Sequence, residues 1–209
     1  MDNKYYKQNR LEMFDFIPKN SQRILDIGCG QGNFSAVLKE KLKSQVWGIE
    51  KDEKAAKVAR EKLDKVLIGD VNYHLDFLED DYFDCIVLND ILEHLVDPFL
   101  FLKKLKSKLN KNGVIVFSVP NVRYLFNLKK LIIDKQWRYE DEGILDRTHL
   151  RFFTKKSLIE TFNNLNFEVL QIKGINPLNF WKFSIINIIF FGFLSDTRYL
   201  QFAGVIKAK

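Results

Sequence analysis

Cysteine and histidine are scarce: two of the first and three of the second in 209 residues. Cys29 and Cys85 lie far apart in apolar surroundings, which excludes a disulfide framework and suits a reducing compartment. No Cys or His pair has the spacing of a zinc site, so no metal is expected. Long apolar runs are missing too. The most apolar stretch, residues 178–194 (LNFWKFSIINIIFFGFL), holds Lys182 and two asparagines and is short for a bilayer span. The opening MDNKYYKQNR has no apolar signal-peptide core, so a cytoplasmic chain is expected.

Excess acid is also absent. The formal net charge is +6, but the lysines are scattered along helical stretches such as LKEKLKS and FLKKLKSKLNK. Nucleic-acid binding needs a clustered basic stripe, so these read as solvated helix faces and no nucleic-acid partner is expected. At 46% hydrophobic residues the chain can bury a sizeable core, and one domain spanning 1–209 with insertions is the economical reading.

What is present is an alternation. RILDIG, VWGIE, KVLIGD, FDCIVLND and GVIVFSVP read as short strands, each followed by a polar or Leu- and Lys-rich helical stretch. Such alternation predicts an α/β fold, a doubly wound and mostly parallel sheet covered on both faces. After Pro120 the pattern lapses over 121–154, which suggests a functional lid. A helix then resumes in TKKSLIETFNNLN, capped near Thr154. FEVLQIKG and YLQFAGVIKAK supply two closing strands, with the apolar insertion 176–198 before the last.

In ILDIGCGQGNFS (24–35), a strand breaks into three glycines at alternate positions and then starts a helix. Gly28, Gly30 and Gly32 permit positive φ and close approach of a ligand, and the helix aims its free N–H groups at the same place. Glu50 ends the next strand, where a carboxylate can accept both ribose hydroxyls. A nicotinamide dinucleotide fits less well, because its fingerprint needs glycine where this chain has Asn33. A sulfonium cofactor has no pyrophosphate to cradle, and the preceding acid Asp26 suits it.

LDIGCGQG with Glu50, GDV (69–71), FDCIVLNDILEHLVDP and LNKNGVIVFSVPN together resemble the successive motifs of class I S-adenosylmethionine-dependent methyltransferases. The match runs in order from about Ile24 to Asn121. The resemblance implies a seven-stranded Rossmann-like sheet and S-adenosylmethionine as methyl donor. Gly28, Cys29, Gly30 and Gly32 would line its methionine part. Glu50, with Lys51 beside it, would hold the ribose; Asp70 and Val71 would meet the adenine; Asn89 and Asp90 would close the site. In this family an N-terminal helix, here within 1–20, often covers the donor, so Tyr6 and Arg10 are candidates for its carboxylate.

The acceptor is expected near the loops after the fourth and fifth strands. Arg123, Arg138, Arg147 and Arg151 place four of the chain's eight arginines in the stretch 121–154, where they suit an anionic acceptor group or pair with lid carboxylates. A hydroxyl acceptor needs a base. His149, with Asp146 three residues before it to orient the ring, is the leading candidate. His94 is placed as an acceptor contact, and His74 is read as incidental.

DRTHLRFFT also resembles a string in bacterial methyltransferases of surface-polysaccharide and other glycan biosynthesis, while methyltransferases of ubiquinone biosynthesis share the earlier motifs. The resulting expectation is methyl transfer to a small-molecule or saccharide oxygen. The alternatives are a ubiquinone-type or RNA methyltransferase, or an NAD-dependent oxidoreductase. The stretch 178–194 would pack on the domain or on a second subunit, or else lie on the inner face of a membrane, where it would meet a lipid-linked acceptor. Monomer and homodimer both remain open.

Overall fold

The computed structural model of the chain describes residues 10–179, 181 and 183–209. Tyr6 and the helix expected at the start of 1–20 fall largely outside them, as does Lys182. Seven strands are present: β1 (Arg23–Ile27), β2 (Gln45–Glu50), β3 (Lys65–Ile68), β4 (Phe83–Asn89), β5 (Leu109–Pro120), β6 (Phe167–Pro177) and β7 (Tyr199–Ala208). They form one sheet in the order β3-β2-β1-β4-β5-β7-β6. The pairs linking β3, β2, β1, β4 and β5 are parallel. β7 runs antiparallel to both its neighbours, β5 and β6. The order reverses between β1 and β4, which is where an open parallel sheet leaves a crevice at its carboxyl ends.

Helices cover both faces, because each strand alternates apolar side chains between two cores. Helices α1 (Asn33–Leu42) and α2 (Glu53–Arg60) bring Phe34, Leu38, Ala56 and Ala59 against Ile24, Val46 and Val87. The 3-10 turn Leu11–Phe16 adds Met13 and Phe16 to that face. A four-residue turn of helix, α3 (Val71–His74), follows β3. On the opposite face, α4 (Pro98–Leu105) contributes Phe101, Leu102 and Leu105. Later in the chain comes the other helix of this face, α6 (Lys155–Asn164), which contributes Leu158 and Phe162. Its start was legible: the Thr154 hydroxyl accepts the Ser157 N–H, and the Ser157 hydroxyl accepts the Thr154 N–H, a reciprocal cap.

The stretch 121–154 is not wholly irregular. It opens with α5 (Leu125–Ile132), which no side chain caps and which buries only Asn127. The return from 133 to 154 is tied to the loop after β4, where the N–H groups of Leu150 and Arg151 both donate to the Glu93 carbonyl, at 2.7 and 3.0 Å. Residues 178–198 form the insertion between β6 and β7. It holds the short helix α7 (Phe183–Ile189) and a 3-10 turn, Ser195–Arg198. Phe183 is buried, whereas Trp181, Ile185, Ile188, Ile189, Phe191 and Phe193 are exposed. Among the described residues no helix is long and apolar enough to cross a membrane.

Candidate active site

A cavity of about 430 Å³ opens at the carboxyl ends of β1, β2 and β4. One wall is the glycine turn. Gly28, Gly30 and Gly32 all adopt positive φ, at 75°, 55° and 72°, a backbone that other residues reach only with strain. Gly28 and Gly30 line the cavity. Gly32 does not: it starts α1, and a Cβ there would sit 3.2 Å from Ala59 Cα. Its task is therefore close helix packing, which corrects its expected place beside the donor. Cys29 lines the cavity, but its sulfur turns inward against Gly48. Burial, reinforced by the charges of Asp26 and Glu50, pushes its thiol well up, so it is not a nucleophile.

Glu50 stands at the end of β2 and shapes the turn. Its Oε2 accepts the Gly30 N–H and its Oε1 the Asp52 N–H, each at 2.8 Å. Asp26, buried under the turn, accepts the Ser35 hydroxyl at 2.5 Å. Burial raises its carboxyl to about 7, against the Ser35 bond that lowers it, with the Glu50 charge raising it further. Lys51, Asp70 and Val71 line the same end of the cavity. Asp70 also caps α3, accepting the Asn72 N–H at 2.8 Å.

At the end of β4, Asn89 lines the cavity with a buried Oδ1 that has no hydrogen-bond partner among the described residues. Asp90 follows in a left-handed conformation, φ 53°, and is a crowded acceptor. It pairs with Arg10, accepts the Ser118 hydroxyl at 2.8 Å and takes the Gln201 amide at 2.8–2.9 Å. Arg10 lines the cavity, but its guanidinium also donates to Ser118 at 2.9 Å and pairs with Glu12. Arg10 therefore holds Asp90 in place and is not a free cation aimed at a ligand carboxylate. The expectation for it is corrected accordingly.

The far wall is formed by Ile91, His94, Leu95 and Thr148. His94 Nδ1 lies 3.3 Å from the Thr148 carbonyl and 3.1 Å from its hydroxyl. Burial and the neighbouring His149 lower its basicity. His149 packs its ring edge-on to His94, with centroids 4.7 Å apart. It is buried and does not line the cavity, so the expected base lies behind the histidine that faces the ligand space. Asp146 does not orient it, because the Asp146 carboxylate accepts the Thr148 N–H and hydroxyl, at 2.7 and 2.6 Å. The Ile144 carbonyl takes His149 Nδ1 instead, at 2.9 Å.

None of the lid arginines singled out as acceptor contacts reaches the cavity. Arg123 is bidentate to Asp196, at 2.7 and 3.2 Å, and ties the start of α5 to the turn before β7. Arg147 pairs with Asp141 on the surface. Arg151 donates to the carbonyls of Leu150 and Val96. Arg123 and Arg151 are thus held by neighbouring carboxylate and carbonyl oxygens, and Arg147 lies out on the surface. Glu93, by contrast, was missed. It is fully buried between Asp90 and the histidines, and burial, with the Asp90 charge, pushes its carboxyl well up.

These features fit an adenosyl ligand. Carboxylates at the ends of β2 and β3 suit the ribose and adenine donors, the glycine turn leaves room for an amino-acid tail, and the Asn89 oxygen lacks a partner. A family model described as a methyltransferase domain matches residues 2–172, and the chain belongs to that family. With its fold and cavity, it is a class I methyltransferase that takes S-adenosylmethionine as donor.

A SAM-dependent methyltransferase from Archaeoglobus fulgidus superposes with a TM-score of 0.73, covering 98% of this chain and 96% of its own at 22% identity. Among curated relatives, a ubiquinone biosynthesis O-methyltransferase of Actinobacillus pleuropneumoniae is 28% identical over 176 residues, which is 77% of this chain and 73% of that protein. The similarly named protein of Bradyrhizobium diazoefficiens is 32% identical over 103 residues, 47% of this chain and 40% of its own length. The chain thus spans less than half of that relative.

Proposed function

We propose that the chain methylates a hydroxyl on a small acceptor, and that this acceptor carries a flat, ring-bearing group. The observation that carries the reading is the composition of the far wall. Ile91 and Leu95 offer apolar surface, while His94 and Thr148 offer the polar groups there. Such a slot suits a phenolic ring better than a polyhydroxylated sugar, whose many donors need partners. The ubiquinone-type names of the relatives agree with it. A saccharide acceptor is the second reading, favoured by the DRTHLRFFT string.

S-adenosylmethionine supplies an electrophilic methyl group on a sulfonium sulfur when bound. The chain's own residues supply position. Glu50 would accept the ribose hydroxyls while its other bonds keep the turn in place. Asp70 would accept the adenine amino group beside Val71, and the Gly28 and Gly30 backbone would pass the methionine part. Asn89 Oδ1 would accept from the ligand's ammonium, with Asp90 adding negative potential. His94 is the group placed to meet the acceptor hydroxyl, and its lowered basicity keeps the ring neutral and able to accept a proton at neutral pH.

The lid role of 121–154 belongs to the same proposal, since Thr148 reaches the cavity from it. So does a peripheral lipid contact through the exposed apolar side chains of 181–193, which would bring a lipid-linked acceptor within reach.

Parallel calorimetric titration with S-adenosylmethionine, S-adenosylhomocysteine and NADH, followed by labelled-methyl transfer to a panel of catechols and sugar nucleotides, tests the reading. Adenosyl binding with catechol turnover is expected. Turnover on sugars alone would select the second reading, and NADH binding alone would overturn both.

A further inference from the structure

Behind His94 the structure holds a cluster that the site as described does not use. Glu93 is 1% exposed, and neither carboxylate oxygen has a hydrogen-bond partner among the described residues. A carboxylate buried without a partner is strongly unfavourable unless a proton or a cation meets it. One potential ligand atom each from Glu93, His94 and His149 lie within 4.8 Å of one another.

The hydrogen bonds around the two rings set their tautomers. A carbonyl only accepts, so His149 Nδ1 donates its proton to the Ile144 carbonyl at 2.9 Å. The Thr148 hydroxyl is spent donating to Asp146, so His94 Nδ1 faces two acceptors, that hydroxyl and the Thr148 carbonyl, and donates. Both Nε2 atoms are then left with free lone pairs, and both rings are held by a second-layer acceptor, as metal-binding imidazoles are. Asp90 and Asp146 add negative potential at Glu93. The Leu150 and Arg151 bonds to the Glu93 carbonyl hold the His149 segment against Glu93 without any help from an ion.

We propose that Glu93, His94 and His149 bind one divalent first-row transition cation, of which zinc is the best match, at the wall that faces the acceptor. Two imidazoles and one carboxylate are three protein ligands, and an open position remains toward the cavity that His94 lines. Magnesium and calcium demand oxygen-rich shells and are disfavoured. The use of such an ion rests on the hydroxyl-acceptor reading and would replace His94 as base, since a ring with Nε2 on the ion and Nδ1 donating to Thr148 has no lone pair left. The ion would lower the pKa of the acceptor O–H, whose proton passes to water. Its existence does not rest on that reading. The short-range spacing of a zinc motif is absent because the ligands come from two distant segments.

The test strips the full chain with chelator and titrates it with zinc chloride and magnesium chloride by calorimetry. Cobalt chloride serves as a coloured probe of the ligand field. One zinc per chain is expected, with magnesium at least about a hundredfold weaker. Glu93→Gln keeps the side-chain volume and should weaken zinc by about a hundredfold or more, with His149→Gln also abolishing the cobalt visible bands. Binding of S-adenosylhomocysteine, unchanged within about threefold in both variants, reports an intact donor site. Substoichiometric zinc in the unaltered chain, or equal zinc affinity in Glu93→Gln, overturns the site. Zinc bound normally without turnover on any hydroxyl acceptor upholds it and removes the acceptor reading instead.

Discussion

The Glu50 carboxylate lies 2.8 Å from the Gly30 amide nitrogen and accepts its N–H, so one side chain at the end of β2 fixes the backbone of a turn twenty residues earlier. It shapes the glycine turn, and in the proposed donor complex the same carboxylate would also meet the ribose.

Replacing Glu50 by Ala should accordingly do two things. Donor affinity should fall by about 1–3 kcal/mol, roughly five- to 150-fold, as a charge-assisted pair is lost. The melting temperature of the ligand-free protein should fall as well, because the Gly30 and Asp52 N–H groups lose their acceptor. Calorimetry and a thermal scan separate the effects; unchanged affinity with a lowered melting point would make Glu50 a brace alone.

Asp26 gives a pH dependence whose sign is fixed. Its folded-state carboxyl titrates near 7, above the ordinary 3.8. Between those values the folded chain holds a proton that the unfolded chain releases, so this group makes stability decline as pH rises from about 4 to 7. Asp26→Asn keeps an acceptor for the Ser35 hydroxyl and removes the buried charge. The variant should melt several degrees higher than the parent at pH 8 and close to it at pH 4; the reverse order would refute the raised carboxyl.

Gly32 should behave as a packing residue. An alanine there must keep a positive φ and press on the α2 backbone, at a cost of about 1–3 kcal/mol. A lower melting point with donor affinity held within about threefold is expected, since Gly32 is not at the cavity surface. Loss of donor binding at full stability would return it to the ligand.

Arg123→Ala should lower stability modestly, by about 0.5–1 kcal/mol, because the Asp196 pair is partly exposed and screened. Steady-state kinetics should show an acceptor KM within about threefold of the parent. A tenfold rise in KM would mean that the arginine leaves Asp196 to bind the acceptor.

The paired substitution Phe191→Ser and Phe193→Ser removes two of the most exposed apolar side chains in the insertion. If that surface meets lipid, co-sedimentation with vesicles of anionic phospholipid should drop at least about tenfold, the loss of two partly buried rings. Equal sedimentation of parent and variant would dismiss the lipid contact.

Much of the sheet was legible because its signals are local. RILDI and FDCIVLN carry apolar residues on both faces, as strands covered on two sides must. The glycine turn and the Thr154 cap are equally local. Helix α5 escaped notice because its sequence, LFNLKKLI, has no capping side chain and buries little.

The acceptor wall was harder for a different reason. Asp146 and His149 stand three residues apart and invite pairing, yet Thr148 offers a closer hydroxyl and amide and captures the carboxylate. Glu93 and His149 meet only because two backbone bonds draw the lid onto the loop after β4. Tertiary capture of that kind leaves no periodicity in a sequence.

Strand β7 lies between β5 and β6 and pairs with both. The last of the seven strands to leave the ribosome is thus an interior one. Until it emerges, β5 exposes an unpaired edge and β6 has no neighbour, so the growing chain cannot complete its sheet by adding strands in order. Folding of this half must await β7, and the open β5 edge in that interval is where a nascent chain would seek a wrong partner or need a chaperone.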